Sequence, residues 1–136
     1  MRKKKYDPVR EKLRGIIRER LGLDWIYHLS HGQRVYEIKR QVLVYFPASS
    51  HPGWWGVNVG VLSYLRRHAK PWFVVFLLVD GLDADGWLLD SEQWETFSSG
   101  LHPSKGAYKV TSKNLNEAVR IGGLQAIAET ILSRVA

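Results

Sequence analysis

The chain contains no cysteine, and none of its apolar runs is long. Without cysteine there is no disulfide framework and no zinc–thiolate site, a composition that fits a reducing compartment. The longest apolar run, residues 71–79, is far shorter than the roughly 20 residues that cross a bilayer. No apolar stretch follows the basic residues 2–5, so we expect no secretory signal. These absences predict a cytoplasmic protein with no membrane partner.

Positive charge is abundant and unevenly distributed. Residues 1–70 hold 15 Lys and Arg against 5 Asp and Glu, whereas residues 71–136 hold 5 against 8. This asymmetry favours a polyanion bound on one side of the molecule. We therefore expect a nucleic-acid partner, with DNA favoured over RNA. The sequence leaves open RNA as the partner and the oligomeric state, a homo-oligomer included.

The pattern of apolar residues and turn signals predicts one domain with alternating element types. The predicted helices and strands are a helix over 8–21 capped by Asp7, a strand over 25–29, a β-rich segment over 34–46, a helix over 58–69, strands over 72–79 and 87–90, a helix ending near 97, a strand over 107–111 and a C-terminal helix. The segments 47–56 and 80–86 are predicted loops. Asn114 and Glu117 form a capping box that would open the last helix, which Gly122 and Gly123 interrupt.

This order predicts an α/β fold, a single compact domain over residues 1–136 in which helices flank a mixed central β-sheet. Residues 1–6 would form a basic arm. The run 72–79 is apolar without alternation, which is typical of a central strand buried on both faces. The segment 34–46 is either a tight hairpin or one long bent strand. Its middle, residues 39–41, has none of the usual turn residues, so the sequence does not decide between these two.

Glu37 and Lys39 are the most suggestive pair of functional side chains. Residues two apart in a strand share a face, so the carboxylate and the ammonium would project side by side. In phosphodiester hydrolysis a carboxylate holds Mg²⁺ and a lysine orients the attacking water. Asp24, upstream at the mouth of the preceding strand, supplies a second carboxylate. The candidate catalytic residues are therefore Asp24, Glu37 and Lys39, with Asp24 and Glu37 as Mg²⁺ ligands.

With these residues the chain resembles the PD-(D/E)XK nuclease superfamily of restriction enzymes and Holliday-junction resolvases. The resemblance covers about residues 8–95 and rests on element order, on the segment 72–90, and on Asp24 followed by Glu37-x-Lys39. It implies a restriction-endonuclease-like fold and Mg²⁺-dependent cleavage of DNA. In that family the Glu-x-Lys strand directly precedes the middle helix. A hairpin over 34–46 would instead place residues 45–47, Tyr-Phe-Pro, at the catalytic positions, and these hold no metal.

Cationic and small polar side chains form the candidate phosphate-binding set. The members are Arg10, Arg14, Arg18, Arg40, Ser49, Ser50, Asn58, Arg66 and Arg67. Trp54 and Trp55 either plug the end of the core, with one ring inward, or stack on bases; the core plug is favoured.

Three functions remain open at this point. The chain is a DNA-binding nuclease-like domain that cleaves with Mg²⁺, a catalytically silent binding or assembly module of the same fold, or a protein-interaction domain.

Overall fold

The structure, a computed structural model, describes residues 5–21, 26–28, 35–68, 70–115 and 118–135. Four helices occur in these ranges: α1 (Asp7–Leu21), α2 (Val59–Arg67), α3 (Ser91–Ser98) and α4 (Leu124–Leu132). Nine short strands accompany them: β1 (Ile26–His28), β2 (Val35–Ile38), β3 (Val42–Tyr45), β4 (Ala48–Ser50), β5 (Trp54–Asn58), β6 (Trp72–Asp80), β7 (Asp83–Asp90), β8 (Ala107–Thr111) and β9 (Arg120–Ile121). The predicted α/β single domain is confirmed at this level.

A mixed sheet with six strand positions forms the centre of the domain. Its order is β1–β2–β3–β6–β7–β9, and β4 also pairs with β6. Leu43 pairs with Trp72 and Ala48 with Leu77, the same offset of 29 residues, so β3 and β4 are two halves of one strand. Between them lies Pro47, which has no N–H to give to the ladder. This strand runs parallel to β6, while the other neighbours in the sheet are antiparallel.

Each face of the sheet carries its own hydrophobic core. One core holds α1 and α4 against side chains such as Val44 and Val75. The other holds α2, α3 and the small β5–β8 ribbon against neighbours such as Tyr45 and Val74. Because both faces are covered, β6 is buried along nearly its whole length. The prediction of a central strand over 72–79 is confirmed.

The segment 34–46 contains a hairpin, so the single-strand alternative is wrong. Strands β2 and β3 pair in antiparallel register, and the N–H of Gln41 donates to the carbonyl of Ile38 at 2.9 Å. Lys39 and Arg40 occupy the tip with φ of 53° and 57°. A type I′ turn requires positive φ at both central residues, and Asn-Gly is the usual sequence for it. The sequence did not reveal the turn because neither residue is present here.

Three further boundaries differ from those predicted. The predicted loop 47–56 contains β4 and the start of β5, and the loop 80–86 is a tight turn around Gly81 (φ 63°) from which β7 begins at Asp83. The described residues between 114 and 123 are not helical, because Asn114 closes a local turn with Thr111 and β9 then pairs with β7. Glu117, its predicted capping partner, lies outside the described residues.

Helices in the described ranges are too short and polar for a membrane span. The finer prediction, a restriction-endonuclease-like fold, stays a prediction.

Candidate nucleic-acid interface

Helix α1 brings its C-terminal half to the hairpin end of the sheet. It runs antiparallel to the β3–β4 strand, because the Tyr6 hydroxyl donates to Ser50 Oγ at 3.1 Å while Arg10 Nε donates to the Phe46 carbonyl at 2.9 Å. From Arg10 to Arg18 the helix rises about 12 Å. The four residues of strand from Phe46 back to the start of β3 cover about 13 Å. The C-terminal half of α1, which carries Arg18, therefore runs towards the hairpin end of the sheet.

The C-terminal end of α2 arrives at the same place from the opposite face of the sheet. Leu43 N–H, near the start of β3, donates to the Pro71 carbonyl at 3.0 Å. Lys70 donates a hydrogen bond to the carboxylate of Glu37 on β2. Arg67 is three residues from Lys70, a span of at most about 11 Å. The end of α2, the start of β6 and the β2–β3 turn are therefore neighbours.

These elements gather five cationic residues, which we call the hairpin-end surface: Arg18, Lys39, Arg40, Arg67 and Lys70. Arg18, Arg40 and Arg67 are exposed, and both lysines are half-buried. No Asp or Glu occurs between residues 38 and 79, so the turn and the end of α2 contribute positive charge alone. Arg66 is not included because its side chain is directed towards α3, where its guanidinium lies 2.5 Å from the carboxylate of Glu95.

Glu37 and Lys39 do not form the side-by-side pair that the sequence predicts. Glu37 lies on β2, is only 7% exposed and bonds Lys70. Lys39 belongs to the turn, where the alternation of strand side chains no longer applies. Asp24 lies outside the described residues. Strand β3, which follows the hairpin turn, ends at Tyr45. Tyr45 and the next residue, Phe46, are buried in opposite cores.

A complete metal site is not seen in the described part of the chain. No group of three or more His, Asp and Glu side chains is placed there to hold a metal ion. Of the two predicted Mg²⁺ ligands only Glu37 is described, and its carboxylate bonds an ammonium. Mg²⁺ binding therefore stays a prediction that depends on Asp24.

Arg10 and Arg14 serve the fold of α1. Arg10 is 5% exposed, and besides the Phe46 carbonyl it binds Asp7 Oδ1 at 3.0 Å. A side chain so enclosed cannot reach a phosphate, so its prediction as a phosphate ligand is not supported. Arg14 lies 3.7 Å from the carboxylate of Glu11. Helical periodicity predicts that Arg10 lies beside the apolar face of α1, and the bond to the Phe46 carbonyl shows that it is enclosed there.

Glu11 also has a partner that the sequence did not indicate. The hydroxyl of Tyr36 on β2 donates to Glu11 Oε2 at 2.8 Å. Burial, and then the neighbouring Glu11 carboxylate, raise the pKa of the Tyr36 phenol well above its usual range. Tyr36 therefore stays protonated and acts as a hydrogen-bond donor that links α1 to the sheet.

Ser49, Ser50 and Asn58 lie away from the hairpin end and have local partners. Ser49 Oγ accepts from the N–H of Trp54 at 3.1 Å, and Ser50 Oγ accepts from Tyr6. Asn58 caps α2, since its side-chain oxygen accepts a hydrogen bond from the backbone N–H of Val61 at 3.0 Å. The nine residues from the start of β3 to the end of β4 span about 26 Å. The predicted phosphate-binding set therefore does not form one surface.

Comparison with known proteins adds no further constraint, since no family model, no curated protein and no solved structure matches this chain. The resemblance to the PD-(D/E)XK nucleases thus stays a prediction. The chemistry of the hairpin-end surface is the guide to function.

Proposed function

We propose that the chain binds nucleic acid, with the hairpin-end surface contacting backbone phosphates. The observation that carries this proposal is the placement of Lys39 and Arg40 at positive φ on the hairpin tip. Residues other than Gly, Asn and Asp rarely adopt this backbone conformation, which costs about 1–3 kcal/mol for each residue. The tip thus carries two adjacent cations at a cost in the stability of the turn.

The surrounding charges support the same partner. Among the described residues neither Arg40 nor Arg67 forms an ion pair, so both guanidinium groups can bond a phosphate without breaking an existing contact. Guanidinium groups match phosphate oxygens with two parallel hydrogen bonds. Arg18 and Arg67 belong to helices on opposite faces of the sheet, which suits a backbone that crosses the end of the domain.

Duplex DNA is the favoured ligand, and the binding model needs no cleavage. Metal-dependent cleavage, which the family resemblance implies, would require Asp24 and Glu37 to share a metal while Glu37 is bonded to Lys70. A binding or assembly module explains the described residues with fewer assumptions.

The salt dependence of binding tests this proposal. Fluorescence anisotropy with a labelled 20-base-pair duplex, between about 50 and 200 mM KCl, gives the slope of log affinity against log salt. Each phosphate contact contributes about 0.9 to that slope, so Arg40→Gln and Arg67→Gln should each reduce it by about 0.9, and the double variant by about 1.8.

The matched control is Lys12→Gln, which removes the same charge from an exposed position in the first half of α1, nearer the opposite end of the sheet. We expect its slope to equal that of the wild type. A flat salt dependence of the wild type would refute phosphate binding. An equal loss in Lys12→Gln would show that only net charge matters.

A further inference from the structure

A second surface, on the β5–β8 ribbon, presents a single exposed indole ring. Trp55 is 1% exposed, and its Nε1 donates to the Leu77 carbonyl at 3.0 Å. Its neighbour Trp54 points outward and is 53% exposed. The core-plug prediction therefore holds for Trp55, whereas Trp54 is free to contact a ligand.

The residues around the Trp54 ring leave its surroundings open and cationic. Lys109 on β8 places its Nζ 5.1 Å from the ring centroid. Directly opposite Lys109 in the ribbon is Gly56, which has no side chain to cover the ring. A Cβ at Gly56 would meet Ala107 only at 3.8 Å, so no steric conflict requires glycine there. The missing side chain leaves a shallow open platform beside the indole.

Hydrogen bonds anchor the backbone that carries Trp54. The N–H of Trp54 donates to Ser49 Oγ at 3.1 Å, and the N–H of Ser112 donates to the Gly53 carbonyl at 3.3 Å. Ser112 Oγ also donates to the Pro52 carbonyl at 3.0 Å. The ring is thus presented by an anchored strand, which limits the entropy lost when a ligand stacks on it.

The charge of the ribbon is complementary to a polyanion. The segments 49–58 and 104–113 contain three lysines and no Asp or Glu. Lys105, Lys109 and Lys113 are all exposed; Lys109 lies on β8 beside the Trp54 ring, and the other two lie in the turns at either end of the strand. An aromatic ring with cations nearby is the arrangement that proteins use for single strands, in which bases stack and phosphates follow the positive charge.

We propose that the β5–β8 ribbon binds an unpaired stretch of nucleic acid, with one base stacked on Trp54 and the adjoining phosphate on Lys109. This inference rests on the proposed function for the class of ligand, but it uses a separate surface. Bases in a duplex cannot reach the ring, so the ribbon selects single strands.

Binding of the oligonucleotide dT12 tests the ribbon. Loss of one stacked base lowers affinity by about 5- to 150-fold, so Trp54→Leu should weaken dT12 binding within that range, while Trp54→Phe should retain most of it. Affinity for the 20-base-pair duplex should be unchanged in both. Leu82→Ala, which removes another exposed apolar side chain, is the control and should bind dT12 like the wild type.

Two further readouts separate the ribbon from the hairpin-end surface. Of the tryptophans in the described ranges, Trp55, Trp72, Trp87 and Trp94 are buried. In a Trp25→Phe background, quenching of solvent-exposed tryptophan emission by dT12 should therefore be lost in Trp54→Leu. Gly56→Leu should weaken dT12 binding by covering the platform, with a melting curve to confirm folding. Unchanged dT12 binding in Trp54→Leu and Gly56→Leu overturns the inference. Unchanged duplex binding in Arg40→Gln and Arg67→Gln overturns the proposed function alone.

Discussion

The ammonium of Lys70 bonds the carboxylate of Glu37 across 33 residues of sequence. Glu37 is 7% exposed, and a carboxylate so poorly hydrated needs a partner to stay charged. The pair fastens the junction between α2 and β6 to β2, next to the hairpin tip. It thereby fixes the position of the hairpin-end surface.

Removing Lys70 should therefore destabilise the domain. In Lys70→Ala the nearly buried carboxylate of Glu37 loses a hydrogen bond. This loss should lower the free energy of unfolding by about 1–3 kcal/mol. Urea titration followed by circular dichroism measures the change. The double variant Glu37→Gln/Lys70→Ala should recover part of the loss, because the buried charge is gone. A double variant less stable than the sum of the single changes would contradict this role of the pair.

The same geometry makes a prediction about cleavage. Incubated with supercoiled plasmid and Mg²⁺ or Mn²⁺, the protein should bind without nicking, because Lys39 lies in the turn and Glu37 is bonded to Lys70. Agarose electrophoresis measures the conversion to relaxed circles. Cleavage that disappears in both Glu37→Ala and Lys39→Ala would overturn this prediction. It would show that Glu37 and Lys39 both act in cleavage.

Substituting the two residues of the hairpin tip should raise the stability of the domain and lower its affinity for duplex DNA. Lys39→Asn/Arg40→Gly introduces the residues that a type I′ turn prefers, and relief of the positive-φ strain should raise the free energy of unfolding by about 1 kcal/mol or more. The same variant should lose about 1.8 from the salt slope of duplex binding, since two phosphate contacts disappear. Denaturation and anisotropy on one preparation measure both. A turn that becomes more stable with unaltered affinity would remove the main support for the phosphate-binding tip.

Arg10 should contribute to stability and not to affinity. Arg10→Met leaves Asp7 buried without its cation, and breaking a buried pair in this way costs about 3–5 kcal/mol. Arg10→Met/Asp7→Asn should be considerably more stable than the single variant. Its salt slope for duplex DNA should equal that of the wild type, because the guanidinium does not reach solvent. A slope lowered by about 0.9 would restore Arg10 to the phosphate-binding set.

The sequence predicted the parts of this fold that depend on local pattern. The apolar run over 72–79 identified the central strand. The helix ending near 97 was also predicted, and the structure shows that Asp90 caps it in a capping box with Gln93. The hairpin was left undecided because Lys39 and Arg40 adopt a conformation that their side chains disfavour. Such a conformation is enforced by the pairing of β2 with β3, a tertiary effect that propensity does not contain.

The candidate site was harder to predict because its contacts are long-range. The charge count identified the basic half of the chain. It could not show that Arg10 is buried while Arg18 and Arg67 are exposed, because residues distant in sequence determine their burial. The sequence did not reveal Lys70 as the partner of Glu37, because the two residues meet only when β6 pairs with β3 in the sheet. Neighbouring residues in a strand face opposite sides, so the exposure of Trp54 follows from the burial of Trp55. The sequence did not reveal this alternation because residues 47–56 were predicted as a loop.

Asp83 should stabilise α4 in a pH-dependent way. Gly123 precedes the helix and has no side chain to cap it, so Asp83 on β7 accepts from the backbone N–H of Leu124 at 3.0 Å. This bond, and then one from Ala84 N–H, hold the pKa of the Asp83 carboxyl below its usual value. Because the folded pKa is the lower one, the stabilisation is fully present above the ordinary aspartate pKa of about 3.9 and is lost as pH falls through the folded value.

At pH 7, Asp83→Ala should therefore lower the free energy of unfolding by about 1 kcal/mol, the usual worth of a helix cap. The difference from the wild type should shrink below pH 4, where protonation removes the same interaction from the wild type. Asp80→Ala, which deletes an exposed carboxylate from the same turn, is the control and should be nearly neutral throughout. Urea titrations at pH 7 and at about pH 2.5 measure the effect. A difference that stays constant with pH would mean that Asp83 contributes through packing, since only the charged carboxylate accepts both backbone N–H groups with the strength that lowers its pKa.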